Sequence, residues 1–335
     1  MKTLNDISVS LGVITIPHRV NLLKKLLRSI FTGSQLPDEL IIVINGCSNN
    51  SIVSSYIEFI KSVRSQRNYS SIKLICLTED APVGYCRSLI IRYSTSDYIA
   101  MVDDDVILHQ LWMEKVKYSL QFKPDNVAGR VELDPNLPYD IVKFLREKAY
   151  YNEFASALNY KFMKIKCTIS KGIFLIDGIR GVWTNNMIIK RELIERIGNF
   201  SIILGYYKDD VGGEDTEFKM RARKSGATFL YNNSAVVYHA INPERLTFSY
   251  ILKRAWRHGL LYSYVFPTRH LIRAFVGEFL SIFYYFFKDR RKEYFLAITR
   301  FICILSALLS MKKREDFVAK RFSAIRRISY KIITV

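Results

Sequence analysis

An α/β fold, with a mainly parallel central sheet flanked by helices and a helical C-terminal region behind it, is what this sequence predicts. Three observations lead there. Short apolar, β-rich runs alternate with helical periodicity over the first hundred residues. The run Asp97-Tyr-Ile-Ala-Met-Val102 then delivers three consecutive acids, Asp103, Asp104 and Asp105, to the carboxyl end of a strand, where open α/β sheets bind ligands. After Asn242-Pro243 the chain changes to long apolar and aromatic helical segments separated by basic clusters.

Val9–Ile16 reads as the first strand, Val20–Phe31 as an amphipathic helix and Glu39–Ile44 as the second strand. Ile52–Ser65 is helical by spacing, Ile72–Thr78 is a third strand, and the helix Tyr85–Tyr93 feeds the strand Asp97–Val102. Strands joined through helices pair in parallel. A crevice is therefore expected after Ile16, after Ile44 and at Asp103. From Ala128 to Ala240 the pattern is less regular. A helix is expected near Tyr139–Phe154, a strand around Asn186–Lys190, and a short helix Arg191–Ile197 closed by Gly198. A further helix, Asp215–Lys224, has Gly226 beyond its end, and Ala235–His239 is a strand.

The formal charge of +19 is concentrated in the tail: residues 245–335 hold 19 Lys and Arg against 5 Asp and Glu. A basic, aromatic-rich tail suits an anionic surface, and no nucleic-acid fold signature accompanies it, so a lipid surface is expected and nucleic acid is not. Leu271–Phe287 and Tyr294–Met311 are strongly apolar, flanking Lys288-Asp-Arg-Arg-Lys-Glu293. The second is 18 residues with Arg300 inside it, short of the ~20 apolar residues that span a bilayer, which favours a monotopic or hairpin attachment. The competing expectation is a tail that packs its apolar faces on the rest of the chain. Five cysteines without CxxC spacing predict neither a disulfide framework nor a zinc site, and suit a reducing compartment. The first residues hold no apolar core of signal-peptide length. The expected location is the cytoplasmic face of the cell (inner) membrane.

Three adjacent acids repel one another and cost desolvation, which a divalent cation with a phosphorylated ligand would offset. The bland reading is an acidic turn before the helix starting near Leu111. Gly213-Glu214-Asp215 precedes another helix, where Asp215 could merely cap it. The glycine pair before two acids fits a loop presenting a carboxylate as general base to a hydroxyl. His239, ending its strand, is a plausible third ligand beside Asp103 and Asp105.

The order of segments resembles the inverting family 2 glycosyltransferases, which have the A-type nucleotide-sugar-binding fold. The resemblance rests on Val13-Ile-Thr-Ile-Pro-His-Arg19, Asp38-Glu-Leu-Ile-Ile-Val-Ile-Asn45, Gly84-Tyr-Cys-Arg87 and the acid triplet. It continues through Arg180-Gly-Val-Trp-Thr-Asn-Asn186, Ile197-Gly-Asn-Phe200, Gly213-Glu-Asp215 with Arg221, and Val237-Tyr-His239. It implies residues 1–242 as the catalytic domain and 243–335 as a membrane-associating region. Pro17, His18, Arg19, Asn45, Arg87, Asp103 and Asp104 would meet the nucleotide, and Asp103, Asp105 and His239 a Mn²⁺ or Mg²⁺ ion. Asp215 would be the catalytic base, with Glu214, Trp183, Asn185 and Asn186 holding the acceptor. Lys253-Arg-Ala-Trp-Arg-His-Gly259 resembles a further basic segment, whose Arg254 and Arg257 would reach the diphosphate. The implied reaction moves one sugar from a nucleotide-sugar to a hydroxyl of a lipid-linked or surface-polysaccharide acceptor.

Two departures stand out. Asn45 occupies the place where an aspartate usually binds the base, and the Gln-x-x-Arg-Trp signature of processive synthases is absent, so addition of a single sugar is expected. The rival readings are a haloacid-dehalogenase-like phosphatase using Asp103 and Asp105, and a non-catalytic, basic membrane-binding protein.

Overall fold

The computed structural model describes residues 7–48, 50–64, 71–147, 163–178, 181–207, 212–240, 242–311 and 314–335. Arg180, Lys312, Lys313 and the stretch 148–154 of the expected 139–154 helix lie outside them. β1 (Val9–Thr15), α1 (Val20–Phe31), β2 (Glu39–Ile44), α2 (Asn50–Arg64), β3 (Ile72–Leu77), α3 (Val83–Tyr93) and β4 (Tyr98–Asp103) follow in the expected alternation. β2 is buried at every position because helices cover both faces of the sheet, which explains its unbroken apolar sequence. β1 lies between β2 and β4, parallel to both, with Ile14 opposite Asp103. The strand order therefore reverses beside β1, and a crevice opens at the strand ends there.

Beyond β4 the sheet becomes mixed. β5 (Val106–Leu108), α4 (Trp112–Leu120), β6 (Asn126–Leu133) and α5 (Tyr139–Glu147) lead to β7 (Ile165–Ser170), β8 (Ile173–Ile176) and β9 (Met187–Lys190). α6 (Arg191–Ile197), α7 (Glu214–Lys224) and β10 (Phe229–His239) complete this half. β9 sits antiparallel between β4 and β6, β10 runs parallel to β6, and β7–β8 form an antiparallel hairpin beyond β10. The two-residue connection between β7 and β8 permits only antiparallel pairing, since a parallel pair needs a crossover. His239 is opposite Val106 of β5, and the Ala240 amide donates to the Asp105 carbonyl at 2.9 Å. The acid triplet is thereby clamped to the end of β10.

Four helices follow: α8 (Phe248–Val265), α9 (Thr268–Phe287), α10 (Arg291–Ser310) and α11 (Arg314–Arg327). Gly259 of α8 lies so close to α10 that an added Cβ would stand 2.3 Å from the Cys303 carbonyl oxygen. α9 stays open: Ile272, Val276, Phe279, Leu280, Phe283, Tyr284, Phe286 and Phe287 are exposed. α10 packs against both α8 and α9, meeting α9 through Phe301 against Phe275 and Phe279, while the rest of the α9 apolar face is left uncovered. The chain then returns to the sheet, where β11 (Tyr330–Thr334) pairs antiparallel with β3 and covers its edge. Arg321 of α11 is 3% exposed, lies 4.6 Å from the Tyr207 ring and donates to the Gly205 carbonyl at 3.5 Å.

Candidate active site

A cleft of about 480 Å³ runs along the ends of β3, β2, β1 and β4 and under α7 and α8. At its floor the Arg19 guanidinium bridges Asp104 and Asp105, each at 2.6 Å. Thr15 Oγ1 donates to the other oxygen of Asp104 at 2.7 Å. Burial pushes the Asp104 carboxyl up to about 7 although Arg19 opposes it, with Asp105 adding to the rise. Burial also acts to raise the Asp105 carboxyl, but the His239 ring and Arg19 overcome it and hold Asp105 below the usual range. Two consecutive carboxyls thus share a single guanidinium.

His239 Nε2 stands 3.4 Å from Asp105 Oδ1. Among the described residues, Asp105 Oδ1 and His239 Nδ1 are both buried without a hydrogen-bond partner. Two donors of one octahedral cation with bonds near 2.1 Å stand about 3.0 Å apart, so Asp105 and His239 fit as neighbouring ligands. Asp103 is separate: its side chain is 43% exposed to the cleft, and its carboxylate lies 3.7 Å from Arg87 Nη2. Among the described residues no three His, Cys, Asp or Glu converge on one point. The residues present suit a cation that takes its remaining ligands from phosphate oxygens and water, as Mg²⁺ does.

Arg87 is the hub of the opposite wall. Its guanidinium donates to Glu214 Oε1 at 2.8 Å and to Thr184 Oγ1 at 2.5 Å, and lies 6.0 Å from the Phe200 ring. The pair is placed by two glycines. An added Cβ at Gly84 would meet the Ser201 carbonyl oxygen at 2.1 Å, so α3 can approach the 201–204 loop only without one. Gly213 has φ +122°, and its amide donates to Glu214 Oε2 at 2.9 Å. Glu214 is 3% exposed; burial raises its carboxyl against the pull of Arg87, with Asp215 adding to the rise.

Asp215 follows Glu214 in the first turn of α7 and lines the cleft. Its Oδ1 accepts the Thr216 amide at 2.7 Å, and its Oδ2 lies 3.8 Å from the ammonium of Lys219, which is 2% exposed and also donates to the Val182 carbonyl. From α8, Arg254 and His258 line the same space one helical turn apart. Burial, reinforced by the Arg254 charge, lowers His258 to about 3.

Residues 13–198 match the Glycosyl transferase family 2 sequence profile. The chain belongs to this family. The glucosyl-dolichyl phosphate glucuronosyltransferase of Haloferax volcanii is 22% identical over 233 residues, 69% of this chain and 68% of its own. The succinoglycan biosynthesis protein ExoM of Rhizobium meliloti is 21% identical over 258 residues, 72% and 75% of the two chains. Among solved structures, mannosyltransferase PcManGT from Pyrobaculum calidifontis, in complex with GDP-Man and Mn²⁺, superposes with a TM-score of 0.50 at 17% identity. The match covers 94% of this chain and 75% of that one. GalNAc-T7 with UDP, GalNAc and Mn²⁺ gives 0.52 at 10% identity, covering 75% and 47%. This glycosyltransferase therefore has the A-type fold and uses a nucleotide-sugar donor. A phosphatase nucleophile at Asp103 does not fit, because three strands of the sheet precede β4 in the chain.

The glycosyltransferase cleft gathers Arg19, Asn45, Arg87, Asp103, Asp104, Asp105, Trp183, Asn185, Glu214, Asp215, His239 and Arg254 from the sequence-derived set. Four others stand elsewhere. His18 and Arg257 are exposed and Pro17 is half-buried, none of the three lining the cleft. Asn186 accepts from the Trp112 indole at 3.0 Å and donates to the carbonyls of Arg130 and Ala235, each at 2.9 Å, so it ties the sheet together. Its neighbour Asn185 is 3% exposed, and its Oδ1 has no hydrogen-bond partner among the described residues. Arg19 braces the acids instead of only bordering a base. Sequence reasoning missed Thr15, Asp80, Tyr206, Lys219, Arg245 and His258; only His258 carried a signal, four residues after Arg254 on a helix.

Proposed function

We propose that this glycosyltransferase transfers a single sugar with inversion from its nucleotide-sugar donor to a hydroxyl of a lipid-linked or surface-glycan acceptor. The observation that carries this is the placing of Asp215 and the Asp105–His239 pair on one cleft. Asp105 and His239 would hold Mn²⁺ or Mg²⁺, which when bound supplies positive charge to the departing diphosphate. Arg254, and Arg245 at the same end, add fixed positive charge for phosphate oxygens.

Asp215 takes the proton of the acceptor hydroxyl as that oxygen attacks the anomeric carbon, and the carbon–oxygen bond to the diphosphate breaks on the opposite face. Thr216 and Lys219 fix the carboxylate for this. His258, held neutral by burial and Arg254, does not compete as a cationic acid near pH 7. Glu214, locked to Arg87, keeps the start of α7 in place and borders the acceptor with Trp183 and Asn185.

The exposed face of α9 supports attachment to a membrane at its cytoplasmic face, with the exposed Lys288, Arg290, Arg291, Arg326 and Arg327 meeting anionic headgroups. Two helices, Thr268–Phe287 and Glu293–Ser310, have the length and composition of membrane helices, and only 6% of the first is buried within the protein. The test of the chemistry is Asp215→Asn, which should lower turnover by about two orders of magnitude while donor binding persists.

A further inference from the structure

Where the cleft meets the ends of β2 and β3, the expected base reader is already engaged. Asn45, 4% exposed, donates from Nδ2 to Asp80 Oδ1 at 2.8 Å and to the Ala81 carbonyl at 2.9 Å, while its Oδ1 accepts the Ala81 amide at 2.9 Å. Both amide hydrogens are used, so Asn45 has no donor left for a ligand. Its effect is to fix the loop after β3 and aim Asp80 at the cleft, which Asp80 lines. Among the described residues Asp80 Oδ2 takes no protein hydrogen bond.

Three strand spacings separate the end of β3, where Asp80 stands, from the end of β4 with its acid triplet. At about 4.8 Å each they make roughly 14 Å, the reach of an extended nucleoside diphosphate whose phosphates lie at Asp105. A base at the Asp80 end meets a carboxylate that accepts hydrogen bonds and donates none. Uracil and thymine offer a ring N–H, and guanine a ring N–H beside an amino group. Adenine and cytosine offer an amino group beside a ring nitrogen lone pair, which a carboxylate repels.

Building on the glycosyltransferase function above, we propose that Asp80, held by Asn45, sets donor specificity by selecting bases with a ring N–H and rejecting adenine and cytosine. The full-length protein with Mn²⁺ would be titrated calorimetrically with UDP, TDP, GDP, ADP and CDP. At least one of the first three should bind about ten- to a hundredfold more tightly than ADP and CDP, the range of a hydrogen bond to a charged group. Asp80→Ala should remove that gap. Asp80→Asn, whose amide can also donate, should narrow it by improving ADP or CDP. ADP or CDP binding as tightly as the others, or a gap that persists in Asp80→Ala, would overturn the role of Asp80. Failure of all five to bind the wild type would instead overturn the glycosyltransferase function with it.

Discussion

Replacing Arg87 by Met should destabilise the protein by an amount that its surroundings set. The Arg87 and Glu214 side chains are 7% and 4% exposed and meet at 2.8 Å. Breaking such a pair from one side leaves an uncompensated charge and costs about 3–5 kcal/mol. Burial already acts to raise the Glu214 carboxyl, so the cost should shrink as the pH is lowered. Glu214→Gln leaves Arg87 its contacts with Thr184 and Asp103 and should cost less, about 1.5–3 kcal/mol. The double variant should then cost less than the two singles together, because both remove one interaction. Urea unfolding followed by tryptophan fluorescence, fitted with a common slope, measures all three. A loss below about 1 kcal/mol for Arg87→Met, or simple additivity, would refute the buried hub.

Asp105→Ala should abolish the Mn²⁺-dependent part of nucleoside-diphosphate binding, with His239→Ala weaker in the same direction; equal affinity in Mn²⁺ and in chelator for the wild type would remove the cation from this site. For His258, a pKa lowered from 6.5 to about 3 means its contribution to stability is complete above pH 6.5 and is lost as pH falls towards 3. Relative to His258→Gln, the wild type should therefore lose stability between those limits, and urea midpoints that stay parallel from pH 7.5 to 4 would contradict this. Truncation after His270 should release the protein from anionic vesicles in sedimentation, whereas high salt should release the full chain poorly, because apolar insertion is not screened. Equal partitioning of the two forms would remove the anchor.

The nucleotide-binding half was legible because β1 to β4 are buried apolar runs separated by amphipathic helices, and α1 matches its predicted limits. β7 was not, since every residue of Ile165–Lys166–Cys167–Thr168–Ile169 is exposed and no apolar face marks the strand. β11 was equally silent: its partner β3 lies some 250 residues earlier, and an edge strand with no buried position and no alternation of exposure leaves little periodic signal. At the site, carboxylates and histidine at strand ends drew attention by position. Asn186 entered with Asn185 through the Arg180–Asn186 segment of the family resemblance, yet its side chain turns into the sheet. Lys219 and Asp80 went unseen because their importance comes from what they touch, Asp215 in one case and Asn45 in the other.

The central claim, inverting transfer by Asp215 across a cleft that binds a nucleotide-sugar, is tested most directly by product stereochemistry. A panel of nucleotide-sugars would be offered to the full-length protein with Mn²⁺ and a membrane lipid extract, and the linkage formed would be read by NMR. The expected result is one added sugar with the anomeric configuration opposite to that of the donor. With Asp215→Asn, donor binding should be kept and turnover should fall by about a hundredfold. Retained configuration, or near-normal turnover by Asp215→Asn, would contradict it.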